Sequence, residues 1–322
     1  MRKHLSATSA RLVARVFIFA VLVPAVTAGC QTTSAGSPPS SASSFPVSVH
    51  QTGRGAVTIA HEPRRIVSLS ATATEMLFAI GAGKQVVAVD DQSNYPMSAP
   101  TTRLSESQPN LEAILGYSPD LVITTGDTAG LVAGLATSRV PVLLEPAAKS
   151  FDDSYAEIRE LGTATGRLSV AESLVGRMRS DIAAVVSSVG SRARGLRVYH
   201  ELDDTHYSVT SATFIGQVYT LLGLSNIADR ATGAAPDYPQ LSAEFIVSAN
   251  PDVIVLADTK CCKQTAQVVS ARPGWQSISA VRSGRIVAID DDIASRWGPR
   301  VVDFMRAVAA RVVGAGATPA SG

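Results

Sequence analysis

Short runs of aliphatic and β-branched residues alternate along this chain with stretches whose apolar positions recur every three or four residues. In the first half the runs Ile66 to Ser70, Val86 to Val89, Leu121 to Thr124 and Val140 to Leu144 read as strands. Between them lie helical patterns such as Thr72 to Ile80, closed by Gly81, with Thr72 and Glu75 spaced as a capping box. The longest helical pattern runs from Ala171 to Val189. Its positions Ala171, Leu174, Val175, Met178, Ile182, Val185, Val186 and Val189 share one face, while Arg177, Arg179 and Asp181 fall largely elsewhere. No strand run adjoins it, so it reads as a rigid strut between two halves. The second half repeats the alternation, with strands at Leu196 to Leu202, Val253 to Leu256 and Arg285 to Ile289. Its helices are expected at Thr213 to Leu222, Ser242 to Ala249 and Arg300 to Val313. Strands alternating with helices predict an α/β fold with parallel sheets, here in two lobes.

The halves also share a local signature. Leu111-Glu112-Ala113-Ile114-Leu115 leads to Pro119-Asp120-Leu121-Val122-Ile123. Ala243-Glu244-Phe245-Ile246-Val247 leads to Pro251-Asp252-Val253-Ile254-Val255. Each reads as a short helix, a Pro-Asp turn and a buried strand, with one glutamate in an equivalent place on each lobe.

Composition narrows the function. The chain has 322 residues, 46% hydrophobic and 17% charged, enough for a substantial core. A net charge of +1 gives no footprint for nucleic acid. Arg2, Lys3, Arg11 and Arg15 precede an uncharged apolar run, Val16 to Ala28, that suits a secretory signal and is short for a bilayer span. It ends in Val26-Thr27-Ala28-Gly29-Cys30, similar to a bacterial lipobox in which Cys30 would be lipidated. Residues Gln31 to Pro46 are rich in Ser, Thr, Ala and Pro and read as a tether. Cys261 and Cys262 are adjacent, not spaced as a metal knuckle, and could form a vicinal disulfide or stay reduced.

Catalytic motifs are missing. Gly81-Ala82-Gly83-Lys84-Gln85 lacks the spacing of a phosphate loop, and no Gly-x-Ser-x-Gly elbow or His-Glu-x-x-His pattern occurs. The acid pairs Asp90-Asp91 and Asp203-Asp204 read as solvated residues at strand ends. No metal site and no resident cofactor are expected.

Taken in order, Arg64 to Ser70, Thr74-Glu75, Gly81, Tyr95-Pro96, Asn110-Leu111-Glu112 and Pro119 to Ile123 resemble the first lobe of the periplasmic binding proteins for cobalamin, ferric siderophores and haem. Pro251 to Ile254, Arg272-Pro273-Gly274-Trp275 and Pro299-Arg300 resemble the second lobe. That resemblance implies a class III architecture, two Rossmann-like lobes joined by one long helix, with a ligand in the cleft between them. It implies that Glu112 and Glu244 dock on a membrane permease. It implies that Tyr95, Tyr238 and Asp292 line the cleft. By position, Arg296 and Trp297 beside Asp292 are expected to contact a carboxylate or a flat ring of the ligand, and Tyr207 and His206, after the strand ending at Leu202, to line the same cleft; Trp275 reads as core. An acid, Glu106, stands about where cobalamin binders of this family carry an aromatic, which leaves a ferric siderophore or haem open beside cobalamin.

The expected organisation is a lipoprotein signal (1–30), a tether (31–53), an N-terminal lobe (54–166), a connecting helix (167–191), a C-terminal lobe (192–314) and a loose tail (315–322). The expected function is that of an extracytoplasmic, lipid-anchored, monomeric substrate-binding component of an ABC importer, not an enzyme. A chelatase-like or hydrolytic enzyme, with His200 and His206 as its histidines, and a surface sensor without a transport partner are the alternatives.

Overall fold

A computed structural model describes residues 45–51, 55–231 and 237–314. Cys30, the signal segment, most of the expected tether and the tail from residue 315 lie outside the described residues.

Strands β1 (Val47–Gln51) and β2 (Gly55–Ile59) form an antiparallel hairpin with Val47 opposite Ile59. Next come β3 (Ile66–Leu69), α1 (Ala71–Ala79), β4 (Val86–Val89), α2 (Leu111–Leu115), β5 (Leu121–Thr124), α3 (Leu131–Thr137), β6 (Val142–Leu144) and α4 (Phe151–Ala164). Helix α5 (Leu168–Val189) leads to β7 (Arg197–Glu201), α6 (Phe214–Leu221), β8 (Ser225–Asn226), α7 (Ala243–Ala249) and β9 (Val253–Leu256). The chain continues through α8 (Ala266–Ser270), α9 (Ser279–Arg282), β10 (Ile286–Ala288), α10 (Asp291–Ser295) and α11 (Val301–Val313).

The two parallel sheets run β4-β3-β5-β6 and β10-β9-β7-β8. Numbered within its own lobe, each sheet has the order 2-1-3-4, so the lobes share one topology. Each helix that opens a repeated unit is capped by a short polar side chain. Asn110 accepts the N–H of Ala113 before α2, and Ser242 accepts that of Phe245 before α7. The Pro-Asp turns have a matching task. Asp120 accepts the backbone N–H groups of Arg64 and Arg65 at 2.8 and 2.9 Å, just before β3. Asp252 accepts the backbone N–H of Arg197 at 2.9 Å, at the start of β7. In each lobe one carboxylate thus pins the entry of the central strand, which a sheet alone leaves unpaired.

Both sheets are buried on both faces and mostly apolar, as sandwiched parallel sheets require, with His200 and Glu201 of β7 as polar exceptions. One face of each packs into a single core shared by the lobes, built from α1, α4, α5, α6 and α11. The opposite faces carry separate clusters, around Leu104, Ile114 and Leu135 in the first lobe and around Ile246, Val269 and Trp275 in the second. Helix α5 is the joint. Its buried face, Ala171, Leu174, Val175, Met178, Ile182, Val185 and Val189, lies against α4 of one lobe and α11 of the other.

Two expectations differ from the structure. Val47–Gln51 fell in the expected tether, yet it is a strand. Val49 is buried in the shared core, and the Gln51 amide donates to the Leu144 carbonyl at 2.6 Å. The start of α1 is capped by Ser70, which accepts the N–H of Ala73 at 3.2 Å, and not by Thr72. That leaves the Glu75 carboxylate available for another task.

Candidate functional site

Ligands of open α/β sheets bind beyond the carboxyl ends of the strands. The loops at those ends here belong to both lobes and meet along two lines. On one, Phe151 stacks on Phe214 with ring centroids 4.9 Å apart, and Gln217 of α6 donates to the Lys149 carbonyl. On the other, the loop after β4 meets α10 and the start of α11. Asn94 donates to Asp292 at 2.8 Å, and Arg296 donates to the Gln92 carbonyl at 2.8 Å.

The second line is held by charge. Glu75, buried in α1, takes Arg296 at 2.7 Å and Arg300 at 2.5 Å. Arg296 also takes Asp292 at 3.0 Å, and Lys260 bridges Asp292 at 2.7 Å and Asp290 at 2.8 Å. Three carboxylates and three cations alternate in one chain, so no buried charge is left unmatched. Burial alone would raise the Asp292 carboxyl, but the bonds from Lys260 and Asn94 and the Arg296 charge outweigh it and hold it below the usual range.

This network engages two of the residues expected near the ligand. Arg296 is 9% exposed and its guanidinium is already engaged by Glu75, Asp292, Asn94 and the Gln92 carbonyl, leaving little to offer a ligand. Trp297 donates its indole N–H to Glu157 at 2.7 Å, and its carbonyl accepts from Ser154, so it too belongs to the seam. Burial is the main reason that Glu157 is pushed up to about 8. Sequence reasoning assigned no role across the seam to Glu75, Arg300 or Asn94. Only the failure of Glu75 to serve as a cap would have hinted at one.

The three tyrosines remain on the surface. Tyr95 is 44% exposed, with the Arg300 guanidinium 4.2 Å from its ring centroid. With Phe78, Pro96, Pro299 and Arg300 it lines a cavity of about 320 Å³. Met97, two residues on, is 98% exposed. Tyr207 and Tyr238 are 40% and 48% exposed, and the structure brings their segments together. Tyr207 pairs with Gln240, Ser208 donates to the Pro239 carbonyl, and Thr210 donates to the Asp237 carbonyl, so the two segments form a short antiparallel ribbon. Asp203 makes the turn before it, accepting from Thr205 and Tyr207.

The histidines of the enzyme alternative are occupied. His200 is fully buried with Nδ1 2.5 Å from the Tyr219 hydroxyl, and burial lowers it to about 3, so it stays neutral. His206 stacks on the buried Trp275 at 5.8 Å. Among the described residues no cluster of His, Cys, Asp or Glu could hold a metal ion, and no helix is long and apolar enough to cross a membrane.

Glu112 and Glu244 are exposed in the first turns of α2 and α7, at corresponding places on the two lobes. The Glu244 carboxyl is held below its usual range by its own N–H, by the Ser242 hydroxyl and by His206.

A profile described as periplasmic binding protein matches residues 66–293. The chain belongs to the periplasmic binding protein family. It is 30% identical to an uncharacterised ABC transporter substrate-binding lipoprotein, YvrC, of Bacillus subtilis, over 82% of this chain and 85% of that one. It is 30% identical to a cobalamin-binding protein of Halobacterium salinarum, over 83% and 74% of the respective chains. Among solved structures it resembles the periplasmic haem-binding protein RhuT of Roseiflexus in apo form, with a TM-score of 0.68, 25% identity, and coverage of 79% of this chain and 99% of that one. The fold is accordingly the two-lobed class III architecture.

Proposed function

We propose that this chain is the lipid-anchored receptor of an ABC importer, that it captures a metal chelate between its lobes, and that the preferred chelate is a corrinoid. The observation that carries this reading is the set of exposed tyrosines on loops at the carboxyl ends of the sheets, Tyr95 from one lobe and Tyr207 and Tyr238 from the other. Such rings stack on a flat macrocycle and need no chemistry of their own.

Charge favours the corrinoid over the other two chelates. The same loops carry Asp91, Glu106 and Asp127 on one lobe and Asp203, Asp204 and Asp292 on the other. The nearby cations Lys260, Arg296 and Arg300 already have carboxylate partners, which leaves the exposed Arg103 of the loop after β4 to face six acids. A chelate rimmed with several carboxylates, such as haem or an anionic ferric siderophore, would need more unengaged cations than that. A corrinoid rimmed with neutral amides does not. The relative named as a cobalamin-binding protein supports the same choice. Glu112 and Glu244 are the docking carboxylates on this reading, one per lobe, setting encounter and register with the permease. Cys30 is the lipidation site, and the working form is a monomer outside the cytoplasm.

Absorbance titration of the purified chain with cobalamin, haem and ferric siderophores tests the ligand. Cobalamin should bind most tightly, and Tyr95→Ala, Tyr207→Ala and Tyr238→Ala should each weaken it by about 3- to 10-fold. Tight haem binding without cobalamin binding would reassign the chelate, and no binding to any of them would sink the transport reading. Glu112→Ala with Glu244→Ala should leave the titration unchanged while lowering uptake by cells.

A further inference from the structure

The loop after β9 holds an adjacent pair of free thiols, Cys261 exposed and Cys262 half-buried. The same loop is the clamp that fixes α10. The Lys260 and Cys261 N–H groups each donate to the Asp291 carboxylate at 3.0 Å, as does the Thr259 hydroxyl. The Cys262 N–H donates back to the Asp258 carbonyl at 3.2 Å, closing the turn. Helix α10 in turn presents Asp292, and Arg296 at its end, to Asn94 and Glu75 of the other lobe.

We infer that Cys261 and Cys262 are a redox modification site, whose closure to a vicinal disulfide loosens the Asp291 clamp and with it the charged seam between the lobes. Each sulfur gives up a proton. The S–S bond forms as two electrons pass to an external disulfide, which leaves as two thiols. Neighbouring Cα atoms lie about 3.8 Å apart across a trans peptide, below the roughly 4.4–6.8 Å that disulfides usually span. The intervening peptide must therefore distort, displacing the Cys262 N–H from the Asp258 carbonyl, and the changed dihedral angles at Cys261 turn the preceding peptide, whose N–H donates to Asp291. The same strain makes the bond easy to reduce, the property of switching disulfides and not of structural ones. Desolvation, then the neighbouring Cys262 thiol and the Asp291 and Asp258 carboxyls, push Cys261 up to about 12 and keep it protonated, so closure calls for excess oxidant.

The test uses the full chain carrying Cys30→Ser, in which the pair holds the only remaining sulfhydryls, incubated with oxidised glutathione and then with reduced glutathione. No ligand enters, so the result is independent of the chelate assignment. Intact mass should show loss of two hydrogens with no glutathione adduct, reversed at a thiol ratio that leaves an unstrained disulfide oxidised. Amide exchange across residues 259–264 and 290–296 should become about tenfold faster in the oxidised chain, and not in Cys262→Ser treated alike. Adducts on separate cysteines without ring closure would overturn the inference. So would a closed ring that leaves exchange at residues 290–296 unchanged.

Discussion

The two lobes repeat one plan: the same strand order, the same capped helix, the same Pro-Asp pin at the central strand. They part company at the far ends of those strands. With Ile66 matched to Val198 and Leu121 to Val253 by their places in the sheets, Leu69 corresponds to Glu201 and Gly126 to Asp258. At these two positions the first lobe carries an apolar side chain, Leu69, and none, Gly126. The second carries a wholly buried acid pair there. Glu201 is gripped by Arg272 through two bonds of 2.6 Å and accepts from the Tyr199 hydroxyl at 3.1 Å. Asp258 is 0% exposed, and burial together with the Glu201 charge pushes it to about 8. The first lobe shows that the topology does not require these charges. What they support is local. Arg272 and His206 both lie against the Trp275 ring, which props the turn that presents Tyr207. The fold is set by pattern, and the polar exception marks where a surface must be held still.

Four measurements sharpen that contrast. The largest effect belongs to the seam, where the lobes are joined by charge. Glu75→Ala leaves the half-buried Arg300 without a carboxylate and the buried Arg296 with Asp292 alone, and should cost about 4 kcal/mol by urea unfolding. Glu201→Leu, which gives the second lobe the first lobe's residue, strands Arg272 and should cost about 3 kcal/mol. Adding Arg272→Met should recover most of it, because removing a buried pair outright is far milder than breaking it. A failed recovery would mean that the pair does more than hold itself. Next is pH. Glu157 sits at about 8 in the folded chain against 4.5 for the ordinary group, so the folded state holds the extra proton between those values. Stability is therefore greatest below about 4.5 for this group and falls as pH rises towards 8. The Tm should decline across that window, and Glu157→Gln should flatten part of the slope; Asp258 has the same sign and keeps the rest. The smallest effect is at α7. Ser242→Ala should let the Glu244 carboxyl titrate closer to its usual range, followed by carbon-13 NMR.

Much of the architecture was legible in the sequence. Val86 to Val89, Leu121 to Thr124 and Val253 to Leu256 are strands with those bounds, since a strand buried on both faces is an uninterrupted aliphatic run. Helix α4 was passed over. Its apolar positions Tyr155, Ile158 and Leu161 are diluted by Asp152, Glu157 and Glu160, and its buried face includes Ser154 and Glu157. The hairpin strand β1 is hard to tell from tether by sequence, because a lone five-residue alternation beside a Ser-rich stretch carries little weight until β2 pairs with it. The site was less legible than the fold. Glu75 and Arg296 are separated by 221 residues, and nothing local in either segment announces a partner. A motif can say that an arginine stands at a cleft. Only three-dimensional packing says whether a carboxylate already occupies it.

Helix α5 and the apolar layer around it have a consequence for how the molecule melts. The largest cluster of buried side chains runs from Val49 to Val312 and takes in residues of both sheets. Cutting the chain at α5 would split that layer and bare an oily flank on each half. Calorimetry of the intact body should therefore give one heat-absorption peak, with equal calorimetric and van't Hoff enthalpies, despite its bilobal outline. Either half expressed alone should precipitate or bind ANS, and not refold as an autonomous unit.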